Sequence, residues 1–225
     1  MNHGLGVVAP VRAHRQWTPL ARALAATGDR WTLLIVLAIS HERLRLNVLR
    51  TRLPGVSSGV LDHHLNQMIA LGLLSRERFR EMPPRVEVQL TECGRELLPI
   101  AGALARWGMR HEWPAPETVE RVRADAILRQ LPALLEEASG LLDGIVEAAV
   151  SPGEDVAGAS YWFQISDGRL TAGETAAKPS ARVHGDEAAW VAALGPGGDY
   201  SGLQFAGKRS IAKTMLDSLP RERSV

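Results

Sequence analysis

Apolar residues Trp31, Leu34, Ile35 and Ala38 stand at i, i+3, i+4 and i+7, which is one face of an α-helix. Leu33, Val36 and Leu37 widen that stripe, so the pattern predicts a helix over residues 31–40 buried on most sides. A shorter helix is predicted over residues 44–53. Pro54-Gly55 ends it, because proline drives the residue before it out of helical conformation. A third helix starts at Ser57 or Ser58, whose hydroxyls suit an N-cap. It carries Val60, Leu61, Leu65, Met68 and Ile69 on one side and stops at Gly72, a glycine suited to a left-handed ending. The period then changes to 2. Over residues 73–80, Arg76, Arg78 and Arg80 alternate with Ser75, Glu77 and Phe79. Residues 81–85, with two prolines, form a tip, and Val86, Val88 and Leu90 form the inward face of a return strand. Residues 91–113 predict a long helix. Short helices followed by a hairpin make a winged helix-turn-helix.

Pro114-Ala-Pro116 marks a boundary. Residues 117–148 read as mostly helical, with Val122, Ala126, Leu128, Leu131 and Leu135 at apolar positions, although 144–150 reads equally as a strand. Strand-like pieces follow at 160–165, at 169–172 after the Asp167-Gly168 turn, and at 180–184. A helix over 187–194, a glycine-rich loop over 195–198 and a last helix over about 208–219 complete an α+β pattern. The expected organisation is an extension over residues 1–16, a winged helix-turn-helix domain over 17–113, and a second small α+β domain over 114–225.

At 225 residues and 45% apolar, the chain is long enough for two domains of roughly 100 residues, each with its own core. Cys93 is the sole cysteine, which excludes an intrachain disulfide and points to a reducing, cytoplasmic setting. The apolar run at 5–11 lacks a basic flank and a cleavage pattern, so it is not read as a signal peptide. No stretch approaches the roughly 18 apolar residues of a membrane span. The net charge of +1 conceals an asymmetry. Residues 1–113 carry fifteen arginines, no lysine and nine acids, whereas residues 114–225 carry eleven basic and sixteen acidic residues. A basic half beside an acidic half points the first toward a polyanion.

The third helix would present Ser57, Ser58, Gly59, Asp62, His63, Asn66 and Gln67 on its polar side. Asn and Gln pair with adenine, Asp accepts from the cytosine amino group, and His pairs with guanine; the alternative is a solvated helix face. Arg50 and Arg52 on the preceding helix are candidate phosphate contacts. So are Arg78, Arg80 and Arg85 in the wing, with Arg76 beside them, unless Glu77, Glu81 and Glu87 take them in ion pairs. His63 and His64 are adjacent and point about 100° apart, so they do not chelate one metal from one face, and no cofactor or metal is expected. Two motifs point toward an enzyme without its context. Gly55-Val-Ser57-Ser-Gly59 fits a nucleophile elbow but follows a helix rather than a strand. Gly202-Leu-Gln-Phe-Ala-Gly207-Lys208 is followed by Arg209 where a phosphate loop needs a hydroxyl. In the second half, Tyr161, Trp162, Phe163, Trp190, Tyr200 and Phe205 are six of the chain's eleven aromatics. They suit either an ordinary core or an apolar ligand pocket, with Trp162, Trp190, Tyr200 and Phe205 as the candidate lining.

The first half resembles the HxlR family of winged-helix regulators. Pro19-Leu-Ala-Arg-Ala-Leu24, Gly28-Asp-Arg-Trp-Thr-Leu-Leu-Ile35, Leu53-Pro-Gly-Val-Ser57, and Pro83-Pro-Arg-Val-Glu87 through Leu90-Thr91 to Gly94 match its motifs in order. The resemblance implies a homodimer paired through the first and last helices of this half and bound to inverted-repeat double-stranded DNA. The second half resembles the sterol-carrier-protein-like domain appended to some of these regulators. That resemblance rests on the tryptophan-containing strand, Gly185-Asp-Glu-Ala-Ala-Trp190 and Phe205-Ala-Gly-Lys208 opening the final helix, and it implies an apolar small-molecule effector. The implied function is a ligand-responsive repressor and not an enzyme. The alternative is a small-molecule carrier that uses the winged-helix half only to dimerise. The chain departs from the family pattern at Thr18, where many relatives have a cysteine, which excludes thiol sensing there. It departs also at Asp62 and His64, where Ser or Thr and then Arg are usual, and at Val88, where a tyrosine is common.

Overall fold

The computed structural model describes residues 17–79, 85–117, 123–152, 158–173 and 178–221. The expectations placed on residues 1–16, Arg80, the wing tip at 81–84 and Val122 lie outside the described residues. The chain forms two compact units, residues 1–98 and 99–225.

The first unit opens with α1 (Pro19–Thr27), whose proline sits where a helix has no use for an N–H and whose start is capped by the Thr18 hydroxyl, which accepts from Ala21 N–H. Next come α2 (Thr32–Ala38), β1 (Leu44–Arg45), α3 (Leu46–Arg52) and α4 (Ser58–Ala70). The hairpin β2 (Leu74–Phe79) and β3 (Arg85–Leu90) follows, then α5 (Glu92–Arg95). The strand order is β1-β3-β2, all antiparallel, so the short β1 adds a third strand to the wing that the apolar pattern did not announce. The α2 stripe is rotated from the expected one. Thr32, Ile35, Val36 and Ile39 are buried, while Leu34 is 40% exposed. Ile35, Val36, Leu49, Leu61, Leu65, Met68, Val88 and Leu90 make the core of this unit. The end of α4 is a Schellman motif: Leu73 N–H bonds to the Met68 carbonyl and Gly72 N–H to that of Ile69, with Gly72 at φ +73°.

The long helix expected over residues 91–113 is broken into α5 and α6 (Leu98–His111). Thr91 caps α5 by accepting from Gly94 N–H, and its own hydroxyl donates to the Gly72 carbonyl at 2.6 Å. Packing assigns nearly all of α6 to the second unit, ahead of the boundary read from Pro114-Ala-Pro116. The buried Arg106 explains that division. It donates to the Ala133 carbonyl at 2.6 Å, Glu136 at 2.9 Å and Glu137 at 2.8 Å.

The rest of the second unit runs α7 (Ala124–Leu128), α8 (Leu131–Leu134), β4 (Gly144–Val150), β5 (Ala159–Ser166), β6 (Arg169–Ala172), β7 (Ala181–Gly185), α9 (Glu187–Leu194), β8 (Gln204–Gly207) and α10 (Arg209–Asp217). The stretch read as mostly helical thus holds two short helices and then a strand. Residues 204–207, just ahead of the final helix expected from about 208, form a strand paired with β7, and no phosphate-loop turn forms there. The sheet order is β6-β5-β4-β7-β8, with β4 and β7 parallel and α9 following β7. Val146, Ala148, Val150, Phe163, Ile165, Ala181 and Val183 line one sheet face, packed with Trp190, Leu194, Met215 and Leu216 in one buried cluster. Asp125 is buried there between Arg123 and Arg129, at 2.8 and 2.7 Å.

Among the described glycines of the first unit Gly94 is the most confined, because a Cβ there would sit 2.0 Å from the Leu73 carbonyl oxygen. Gly94→Ala should therefore lower the unfolding free energy of this unit by about 1–3 kcal/mol. Gly59→Ala has no atom within 4 Å of its new methyl and should change stability by less than about 1 kcal/mol, in the stabilising direction. Urea titration of the two variants checks the contrast.

Candidate nucleic-acid interface

Leu61, Leu65 and Met68 of α4 are no more than 1% exposed, and they set the rotation of the helix. At 100° per residue the opposite side must carry Gly59, His63, Asn66 and Ala70, with Asp62 on its flank. Of these, Gly59, His63, Asn66 and Ala70 are exposed and Asp62 is half-exposed; Gln67 is intermediate at the edge of the stripe. Ser57 caps the helix by accepting from Val60 N–H at 3.3 Å, and Ser58 is exposed in its first turn. A helix, α3, precedes Ser57, so the strand a nucleophile elbow requires is absent at that place. The outward stripe is mostly polar, which suits a helix lying in a groove of DNA, although Val60, expected on the apolar side, is 42% exposed at its margin.

Two arginines of α3 have different fates. Arg52, with only 12% of its side chain exposed, donates to the Ala38 carbonyl at 2.9 Å and pairs with Glu42. It holds α3 to the end of α2 and is turned away from solvent, contrary to its expected place as a phosphate contact. Arg50 is exposed, and its Nη2 lies 3.3 and 3.4 Å from the two oxygens of Asp62. In the wing, Arg76 and Arg78 stand opposite Val88 and Val86, so they continue the core face of the hairpin out into solvent. No acid pairs with either among the described residues. The other wing face sets Glu77 directly opposite Glu87. Arg43 meets Glu77 at 3.1 Å, and Arg45 and Arg85 meet Glu87 at 4.0 and 3.0 Å. Arg85 also lies over the Phe79 ring. These contacts neutralise Glu87 and brace the wing.

A family model described as HxlR-like helix-turn-helix matches residues 26–115. An uncharacterised HTH-type transcriptional regulator of Methanothermobacter thermautotrophicus is 35% identical over 86 residues, 38% of this chain and 66% of the relative, just under two thirds of its length. YtcD of Bacillus subtilis, also an HTH-type transcriptional regulator, is 31% identical over 88 residues, covering 39% of this chain and 70% of the relative. YvaP of the same species, again an HTH-type transcriptional regulator, is 30% identical over 99 residues, covering 44% and 90%. The chain belongs to the HxlR-like helix-turn-helix family. Its first unit has the mixed α and β winged helix-turn-helix fold, and DNA binding follows from the family. Among the described residues, no helix is long and apolar enough to cross a membrane.

The departures within this HxlR-like unit have physical explanations. His64 is turned inward, 13% exposed, with Nδ1 3.3 Å from Asp29 Oδ1, so it belongs to the scaffold rather than to the polar stripe. Thr18 serves as the α1 cap, and Val88 is wholly buried in the core. Asp29 anchors the start of α2. Its carboxylate accepts from Trp31 N–H at 2.7 Å, from Thr32 N–H at 3.0 Å and from the Thr32 hydroxyl.

The four aromatics singled out in the second unit do not converge. Trp190 is wholly buried and donates from Nε1 to the Ala149 carbonyl at 2.9 Å. Phe205 stands opposite Val183 on the covered sheet face. Tyr200 packs at the edge of the same cluster and donates to Asp217 at 2.8 Å. Trp162 stands opposite Glu147, one residue out of step with Phe163, and so lies on the other face of the sheet. A single lining made of all four is corrected to three on one face and Trp162 apart.

Burial by itself would raise the Asp29 carboxyl, but the Thr32 hydroxyl, two backbone N–H groups and His64 outweigh it and hold the group below its ordinary value. A depressed carboxyl stabilises the fold above its unfolded pKa of about 3.9 and loses that contribution as pH falls through the folded value. Asp29→Ala should cost about 0.5–2 kcal/mol at neutral pH, as for loss of a helix cap. The gap to the parent protein should narrow below about pH 4 in urea titrations. A gap that stays constant down to about pH 2.5 would contradict this assignment.

Proposed function

We propose that the protein is a sequence-specific DNA-binding transcription regulator, a cytoplasmic homodimer acting as a ligand-responsive repressor at inverted-repeat operators. The observation that carries this reading is α4, wholly buried on its Leu61, Leu65 and Met68 side and polar on its opposite side, within an HxlR-like unit. Asp62, His63, Asn66 and Gln67 face base edges in the major groove. Ser57, Ser58, Arg50, Arg78, Arg80 and Arg85 serve the phosphates, while the inward-turned Arg52 acts by holding α3 in place. The DNA-binding and dimerisation region runs over residues 17–113, irrespective of where packing divides the isolated chain.

Two exposed apolar stripes support the homodimer. Trp17, just ahead of α1, is 86% exposed, Leu20 and Leu24 along it are 69% and 54% exposed, and Ile100, Leu104 and Trp107 are 50–56% exposed along α6. Contiguous apolar stripes of this kind mark surfaces that a partner covers. Two recognition helices in such a dimer read half-sites about 34–36 Å apart. The second unit is the sterol-carrier-like effector domain in this reading. Its five-stranded sheet, with Trp190, Tyr200 and Phe205 toward the covered face, is the frame for an apolar effector. Such a ligand regulates only if it binds one pose of the dimer better than the other.

Fluorescence anisotropy on the duplex upstream of the protein's own gene, with excess unrelated duplex and a salt titration, tests the reading. Saturable binding that survives the competitor is expected, with a log–log salt slope steepened by about 0.9 for each phosphate contact. Arg78→Ala should reduce that slope. Binding abolished by competitor on every duplex tested would sink the regulator and favour the carrier. Leu20→Glu with Leu104→Glu should convert the dimer to a monomer in light scattering and weaken operator binding at least tenfold.

A further inference from the structure

Asp62 is out of place on a surface that approaches phosphates, and the structure offers a reason for it. The side chain is 46% exposed in the second turn of α4, on the flank of the stripe that carries His63 and Asn66. Its two oxygens share Nη2 of Arg50, which comes from the neighbouring helix α3 and is itself 43% exposed. The remaining Arg50 nitrogens, Nε and Nη1, have no acceptor among the described residues. The carboxylate therefore carries its own counter-charge and keeps lone pairs for another donor.

Resting on the regulator reading above, the geometry points to Asp62 as the residue that selects cytosine at one position of each operator half-site, with Arg50 as its positioning residue. A carboxylate only accepts hydrogen bonds. In the major groove guanine offers N7 and O6 and thymine offers O4, all acceptors that repel it. Adenine offers its amino group beside N7, so the second carboxylate oxygen meets a lone pair. Cytosine offers its N4 amino group with a C–H beside it, and a carboxylate meets no repulsion from that base. The early position of Asp62 in α4 suits base contact, since the first turns of a recognition helix lie deepest in the groove. Arg50 cancels the repulsion between the carboxylate and the phosphates, and its free N–H groups face the backbone. An exposed ion pair of this kind is weak enough to adjust on binding.

The test is selection of duplexes from a random pool by the full chain, run in parallel with Asp62→Ala, Asp62→Asn and Arg50→Ala. The parent protein should select a motif with cytosine favoured at one position in each half by roughly tenfold to a hundredfold. Asp62→Ala should flatten that position and leave the rest of the motif intact. Asp62→Asn should admit adenine there, because a carboxamide both donates to N7 and accepts from N6. Arg50→Ala should weaken binding to all sites, reduce the salt slope by about 0.9 per protomer and blunt the cytosine preference. A parent motif recovered unchanged with Asp62→Ala overturns the role of Asp62 and leaves the regulator standing. Arg50→Ala with unchanged affinity and preference overturns the positioning role. Absence of any motif with the parent protein overturns the regulator itself, and this inference with it.

Discussion

Burial of Leu61, Leu65 and Met68 is the interaction on which the rest of the first unit depends. Each such side chain contributes roughly 1.5–3 kcal/mol by leaving water, so α4 cannot roll about its axis without losing most of that. A fixed roll fixes the opposite stripe, and with it which polar groups can reach a ligand. Other contacts work to the same end. The Schellman turn at Gly72 sets where α4 stops and β2 begins. The Asp29–His64 contact ties the start of α2 to the inward flank of α4, and Arg52 ties α3 to the end of α2. The recognition surface is therefore held by a rigid element rather than by a loop.

Charge in this unit is sorted by geometry rather than by abundance. Arg50 and Arg52 lie two residues apart, about 200° around a helix, and this sends one outward beside Asp62 and the other inward to a carbonyl. In the wing, strand alternation places Arg76 and Arg78 where the core face runs out into solvent. It places Arg85 on the face where Glu77 opposes Glu87. Directly opposed acids are destabilising, and Arg43, Arg45 and Arg85 answer that cost. The basic excess of the first half is thus partly consumed in the scaffold before any DNA is met.

The second unit is governed by the pleat of its sheet. Successive residues of β5 point to opposite faces, so Phe163 joins the buried cluster while its neighbour Trp162 does not. Aromatic residues adjacent in sequence are for that reason unsuited to line one cavity together. The α9 helix, by contrast, was legible to the residue. Asp186 caps it by accepting from Ala189 N–H, Gly195 ends it, and Trp190 fills the middle of its buried side.

The apolar period of α4, its serine cap, Gly72 and the alternating hairpin are local features, and the sequence alone determined from them a winged helix and the stripe it would expose. The HxlR-like motifs belong to the same local order: Asp29 meets N–H groups two and three residues away, and Gly94 sits within a cap closed by Thr91. What only the tertiary structure decided involves partners distant along the chain. The break between α5 and α6, the pairing of β8 with β7, and the inward turn of Arg52 and His64 all depend on such partners. Local pattern reports how a segment divides its faces between water and protein. It does not report which acid, carbonyl or strand edge will arrive on the protein side, because that choice is made by chain segments tens of residues away.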